Sequence, residues 1–416
     1  MDIVEVKVGV ATLDPRIATR ATIALIALRV GYAYNWFDVG PALPPIGSTF
    51  GVGPADWGVL TAAFLVGAGL LQVPAGLLAR RYGARAVSLG GVGILAVSGA
   101  ACGAAPTFPV LLGLRLIAGV GAALFFSPAI GLVASLYPPG HRGLPVGIFS
   151  SAFSVGSALG IVVTSLLLPP LGWRLSLVVG GLILAVPAVV SLVAVPRSLG
   201  APPRPSARST SRLPAALRYQ GVWAVGIAFV GLEGATFATG QFVVPWGESV
   251  QGWSVALAGV VGMMFVLPSI VGGPFGGRVA ERYRNHRMQF LVATLVGAGV
   301  LALLPFAGLV VAVIVGAVFA LAYGFIYAVM YVLPHYWREV PPEEIPLAIG
   351  LLNSVQLAGG AGVSALFGVV VAESGYSVGW ETLVGLTVVT LLALLLLPAT
   401  SAGPAGPPVA AGPDLR

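Results

Sequence analysis

The chain has 416 residues, 57% of them hydrophobic and 8% charged, with a mean hydropathy of +0.99. So little charge cannot cover the surface of a soluble protein of this size, so lipid is the solvent for most of the chain. The net charge of +7 does not point to nucleic acid, because the basic residues recur in short clusters between long apolar runs.

The opening "MDIVEVKVGVATLDPRIATR" is too polar and too acidic for a signal peptide. Twelve apolar windows long enough to cross a bilayer as helices follow, at 20–46, 55–79, 85–104, 109–137, 144–168, 174–195, 221–247, 254–278, 287–307, 308–335, 346–372 and 378–398. The ninth and tenth divide one long run near Ala307. A spanning barrel would instead need segments of about ten residues with strict alternation. The expected fold class is therefore an all-α polytopic membrane protein.

Arginine placement sets the expected orientation. With the N-terminus in the cytoplasm, one side collects Lys7, Arg16 and Arg20, then Arg80, Arg81 and Arg85, then Arg142. The linker arginines, the cluster Arg278–Arg287 and Arg338 fall on the same side, and the other side has Arg174. This asymmetry matches an even number of spans in the cytoplasmic membrane, with both termini cytoplasmic. The polar stretch "PRSLGAPPRPSARSTSRLPAALR" separates two halves. The expected domains are a six-helix unit over 1–195, a cytoplasmic linker over 196–219, a second unit over 220–398 and a disordered tail over 399–416.

The halves repeat. "GLLARRYGAR" matches "GGRVAERYRNHR", with Gly76, Arg81 and Tyr82 answering Gly277, Arg282 and Tyr283. "YPPGHRGLPVG" matches "VPPEEIPLAIG", and "GWR" at 172–174 pairs with "GWE" at 379–381, each read as opening the last helix of its half. A duplicated six-helix unit is a transporter's device.

The chain resembles the major facilitator superfamily along essentially its whole length. "QVPAGLLARRYGAR" is similar to that family's loop motif between helices 2 and 3 through Gly76, Leu78, Arg81, Gly83 and Arg85, with Arg80 where the family has Asp. In the second half the matching acid is Glu281, beside Arg282 and following Gly277. "RLIAGVGAA" resembles the family's helix-4 motif through Arg115, Gly119 and Gly121. The resemblance implies two pseudo-symmetric six-helix bundles that rock about a central solute site, with the loop motifs governing the conformational change.

Charges at bilayer depth are costly, roughly +2.5 to +3.5 kcal/mol each at the centre on insertion scales, and mark function. Arg29 lies about 13 Å into the first segment at 1.5 Å per residue, and Glu233 falls near the middle of the seventh. Aligning Pro41 with Pro245 sets Arg29 opposite Glu233. Two readings follow: Arg29 binds an anionic solute while Glu233 takes up a proton, or the two form a fixed ion pair joining the bundles. Asp38 and Arg115 sit toward the outer side, and either pair as part of proton coupling or leave Asp38 as a solvated helix-end acid.

The remaining candidates share helical faces. Tyr32 and Trp36 follow Arg29, Thr236 follows Glu233, Tyr323 and Tyr327 begin a stripe that Tyr331 continues, and Asn353 and Gln356 stand one turn apart. Each stripe reads either as helix packing or as solute contact. Cys102 is the lone cysteine, and His141, His286 and His335 are scattered at the basic side, so no metal set, cofactor motif or catalytic pair is expected. The function expected is secondary active transport by alternating access. A proton-coupled carrier of a small organic anion is favoured over a proton-driven drug antiporter, with the bilayer, the solute and protons as partners and a monomer as the working unit.

Overall fold

Proline and glycine decide where the helices start, bend and stop. The computed structural model describes residues 14–138, 141–199, 217–283, 285–337, 340–341 and 344–397, and among these no strand occurs. Most of the 196–219 linker and the 399–416 tail lie outside them, as do Lys7, Arg284 and Arg338.

The first helix, α1 (Pro15–Phe37), begins where the Asp14 carboxylate accepts from Arg16 N at 2.8 Å and Pro15 occupies the first turn. It ends earlier than the expected residue 46. A short 3-10 turn, Gly40–Ala42, containing Pro41, redirects the chain into the helix Leu43–Phe50. α2 comprises Pro54–Leu70 and Gln72–Tyr82, bent by 44°. Pro74 has no N–H to give the Leu70 carbonyl, which is the usual origin of such a bend. α3 (Ala84–Cys102) and α4 (Phe108–Ser135) follow. The helix Gly143–Ala194 breaks at Gly172 (φ 70°) into α5 (143–171) and α6 (173–194).

The second half repeats the plan with α7 (Gln220–Ser249), α8 (Val255–Met263 and Ser269–Arg282, parted by a turn ending at Pro268), α9 (His286–Leu301) and α10 (Leu309–Val332). The α9–α10 division lies at the 3-10 turn Leu304–Phe306 and Gly308, close to the expected Ala307. Ile345–Leu391 breaks at Gly375 (φ 82°) into α11 (345–374) and α12 (376–391). Gly375, not Gly379, is thus the counterpart of Gly172. Both take a positive φ that glycine adopts without strain, whereas "GWE" lies inside α12. That part of the repeat alignment is corrected by four residues.

Within each half, small residues let backbones touch. A Cβ on Gly119 of α4 would lie 2.0 Å from the Phe64 carbonyl oxygen of α2, and one on Gly276 of α8 would lie 2.3 Å from the Phe325 carbonyl oxygen of α10. Gly156 of α5 meets the Val30 carbonyl of α1, and Gly359 of α11 meets Val230 of α7. The same helix pairs are therefore tightened by glycine in both bundles, the packing expected where lipid supplies no hydrophobic drive between helices.

The halves meet most closely at the end away from the basic loops. Phe37 of α1 stacks on Phe237 of α7 with ring centroids 5.4 Å apart, and Gln241 Nε2 donates to the Trp36 carbonyl at 2.7 Å. Gly58 of α2 lies against the Ser364 carbonyl of α11, and Gly259 of α8 against Ser165 of α5. Toward the basic end, a 2.7 Å hydrogen bond between the Ser154 and Ser269 hydroxyls links α5 to α8.

Gly119→Ala forces a methyl into a carbonyl oxygen, whereas Gly113→Ala on the same helix meets nothing within 4 Å. The expected outcome in thermal melts of detergent-purified protein is a loss of about 1–3 kcal/mol for Gly119→Ala and little or none for Gly113→Ala.

Candidate functional site

Two adjoining cavities lie between the bundles. The larger, about 430 Å³, reaches the basic end past exposed Gly147 and Ser150 and is walled by α4, α5, α8 and α10. The smaller, about 30 Å³, sits deeper and is bounded by α1, α2, α7, α10 and α11. Arg29, Phe126, Phe153, Tyr323 and Tyr327 line both. Beyond the small cavity, the stacked rings of Trp36 and Phe237, 5.4 Å apart, close the path toward the opposite end.

Arg29 is buried, and its guanidinium carbon lies 4.3 Å from the Phe126 ring centroid, 4.7 Å from Tyr32 and 4.8 Å from Phe153. Aromatic faces stabilise a buried cation electrostatically. Ring faces accept no hydrogen bonds in the guanidinium plane, and Nε and Nη1 make none of normal geometry, although the Tyr32 hydroxyl interacts with the guanidinium. The wall thus presents positive charge and unused donors to whatever enters.

Glu233 answers from α7 across the same small cavity, but no Arg29–Glu233 ion pair forms. Instead Tyr323 Oη donates to Glu233 Oε2 at 2.9 Å. The fixed-ion-pair reading is set aside: each charge is held by its own aromatic or hydroxyl neighbours, in its own half. From Tyr323 the stripe continues with Tyr327 and Tyr331, whose hydroxyls lie 2.9 Å apart, and Tyr331 donates to Asn353 Oδ1. Gln356 Nε2 donates to that oxygen at 2.6 Å. Tyr327, Tyr331, Asn353 and Gln356 form one hydrogen-bonded polar wall, with the Tyr323 ring packed against it.

The structure brings Arg29, Tyr32, Trp36 and Glu233 to the small cavity together with Tyr323, Tyr327, Asn353 and Gln356. Thr236 lines neither cavity, since its hydroxyl turns back to the Leu232 carbonyl at 2.9 Å. Sequence reasoning missed Gln72, which the α2 bend places in the cavity wall, and the phenylalanines 126, 153 and 237. Gln72 carried a signal, as an amide at lipid depth two residues before Pro74. The phenylalanines carried none, because a phenylalanine facing lipid and one facing a cavity look alike in sequence.

Asp38 and Arg115 form a separate buried unit. Arg115 Nη1 lies 3.5 Å from Asp38 Oδ1 and donates to the Asn35 carbonyl at 3.1 Å, while the guanidinium lies over Phe64. Asn35 Nδ2 donates in turn to the Gly31 and Gly180 carbonyls. Asp38 is fully buried at the end of α1, not a solvated helix-end acid. Gly99 and Gly180 leave the room: a Cβ on either would lie within 3.0 Å of the Asn35 or Asp38 side chain. The unit joins α1, α4 and α6 within the first half and touches neither cavity.

The fold, the inverted charges and the duplicated halves converge with a family comparison: the model for the Major Facilitator Superfamily matches residues 25–338 and 252–413. The chain belongs to the Major Facilitator Superfamily. It is a multi-pass membrane protein of a family of transporters. Multidrug resistance protein Stp of Mycobacterium tuberculosis is 31% identical over 156 residues, 36% of this chain and 29% of that protein. The tetracenomycin C resistance and export protein of Streptomyces glaucescens is 30% identical over 153 residues, 36% of this chain and 28% of that protein. A putative metabolite transport protein of Haemophilus influenzae is 32% identical over 160 residues, 38% of this chain and 39% of that protein. The chain thus matches well under half the length of these relatives. Among solved structures, an inward-facing bacterial homologue of the human lysosomal transporter Spinster superposes with TM-score 0.75 at 20% identity, covering 94% of this chain and 100% of that one. A D-xylose-proton symporter superposes with TM-score 0.74 at 15% identity, covering 92% and 98%.

Within this superfamily fold the loop motifs have definite places. Gly83 (φ 92°) makes the α2–α3 turn, and Arg85 caps α6 by donating to the Val195 and Leu192 carbonyls at 2.9 and 2.7 Å. Arg81 and Arg282 each lie over the ring of the following tyrosine, and Glu281 is exposed. Arg80 also has an interaction partner. Gly76 and Gly277 face open space, so neither is a packing requirement here.

Removing one member of the Asp38–Arg115 unit strands the other charge in an apolar interior. Asp38→Leu and Arg115→Met are each expected to lower stability by about 3–5 kcal/mol, with the double variant losing clearly less than the sum. Strict additivity in denaturation of the purified protein would show that the two side chains are energetically independent.

Proposed function

We propose that this protein is a secondary active transporter of the cytoplasmic membrane that moves a small organic anion by alternating access, coupled to protons. One observation carries the reading. Arg29 is buried midway between the bundles, with two unused N–H donors, in the wall common to both cavities. A cation with no acid partner among the described residues is completed by an anionic solute, and the phenyl faces around it accommodate an apolar body. Glu233 supports the proton role. Among the described residues it has no cationic partner; it is hydrogen-bonded to a tyrosine, on the second bundle and beside the same cavity. The cavity reaches the end rich in arginine while the opposite end is packed shut, a geometry that supports a cytoplasm-facing state with both termini inside. The unit needs no second copy, since both walls come from one chain.

A drug antiporter is the second reading, and the similarity to two resistance proteins favours it. Under it Glu233, not Arg29, receives the solute, exchanging its proton for a lipophilic cation.

Reconstitution in liposomes separates the two, with benzoate and 3-phenylpropanoate as anionic probes and ethidium as the cationic one. Arg29→Gln is expected to weaken anion uptake about tenfold or more, and Glu233→Gln to leave anion binding while abolishing the response to an imposed pH gradient. Unchanged pH coupling in Glu233→Gln would sink the proton role. Ethidium exchange lost in Glu233→Gln and kept in Arg29→Gln would establish the antiporter instead.

A further inference from the structure

Five buried polar atoms of residues that line the small cavity make no hydrogen bond. Arg29 Nε and Nη1 and Trp36 Nε1 are buried donors that make no hydrogen bond of normal geometry, with the Tyr32 hydroxyl the acceptor group that interacts with both residues. Gln72 Oε1 and Gln356 Oε1 are buried acceptors without donors. All four residues line this cavity of about 30 Å³. The donors are on α1, and the acceptors are on α2 and α11, so the cavity has a donor wall and an acceptor wall. The orientation of the Gln356 amide is fixed, because its Nε2 donates to Asn353 Oδ1, which also accepts from Tyr331. Buried polar groups in native proteins are almost always paired, and each exception asks for a partner.

We infer that the transported solute is a carboxylate bearing a second, hydrogen-bond-donating group, hydroxyl or ammonium, within one or two bonds of the carboxyl carbon, attached to an apolar tail. The inference rests on the anion reading and refines it. The carboxylate accepts from Arg29 and Trp36, and the neighbouring group donates to the glutamine oxygens, an ammonium to both Gln72 and Gln356 and a hydroxyl, with its single O–H, to one of them. The two groups must be close together because the cavity holds little more than one or two water-sized spheres. The tail occupies the larger cavity, whose aromatic wall of Phe126, Phe153 and Tyr327 is continuous with the small one. Head-first entry from the basic end is the consequence, with the polar head stopped by the Trp36–Phe237 stack. A plain carboxylate would leave the two glutamine oxygens desolvated and unpaired, a penalty that sites built for a hydrogen bond impose strongly.

Calorimetry and thermal-shift titration of the full chain in detergent test this with four probes that share a phenyl tail: 3-phenylpropanoate, 3-phenyllactate, phenylalanine and 2-phenylethylamine. The expected result is that phenyllactate or phenylalanine binds at least about tenfold more tightly than phenylpropanoate. The better of the two identifies the second group as hydroxyl or ammonium. In Gln72→Met, which keeps the side-chain volume, that preference is expected to fall to within about twofold. Equal binding of the three acids overturns the second-group inference and leaves the anion reading standing. Binding of phenylethylamine alone overturns both. Binding of none of the four means the unpaired atoms serve water, and overturns the inference. The probe ranking is measured on the unaltered protein, so it stands even if Gln72→Met fails to fold.

Discussion

A charge inside a bilayer-spanning bundle must be matched by something the bundle itself provides, and the two buried arginines show two answers. Arg115 is matched by a carboxylate, a backbone carbonyl and a phenyl face, although its Nε and Asp38 Oδ2 make no hydrogen bond. Arg29 is matched in part by rings that stabilise its charge but leave its N–H groups unused. The first arrangement pairs charge with charge and holds three helices of one half together. The second is incomplete in a way that a solute can complete, and it lies where the halves meet. The two arginines therefore differ in whether the described residues supply an opposite charge, not in burial.

The division between the halves follows the same logic. Arg29 sits on α1 and Glu233 on its counterpart α7, aligned by Pro41 and Pro245, yet the duplicated positions carry opposite charges and unlike neighbours. The first half surrounds its charge with phenylalanine and the second with tyrosine and amides. A symmetric scaffold thus holds an asymmetric cavity, able to orient a solute with distinct ends.

Much of this was legible from residue order. Twelve apolar runs, the arginine asymmetry and the repeated loop segments led to the helix count and to the bundle pair, because lipid imposes length and sidedness on every span. The cavity residues Arg29, Glu233, Tyr323, Asn353 and Gln356 stood out because polar groups at that depth need a reason. What residue order could not convey was partnership. It could not separate an Arg29–Glu233 ion pair from two charges held apart, since that depends on rotamers and on phenylalanines whose type carries no address. It also placed the last helix of the second half by "GWE", where a positive φ at Gly375 turns the chain four residues earlier. Thr236 had the right spacing but closed its hydrogen bond within its own helix, the ordinary option for a threonine in an apolar helix.

The closed end carries a last consequence. The faces joined there are glycine against carbonyl, ring against ring, and one amide against one backbone oxygen. Among the described residues no ion pair bridges them. Parting them separates no opposite charges, so salt ions have nothing to screen at that interface. Opening that end therefore works against packing and a single amide hydrogen bond, not against the separation of ion pairs.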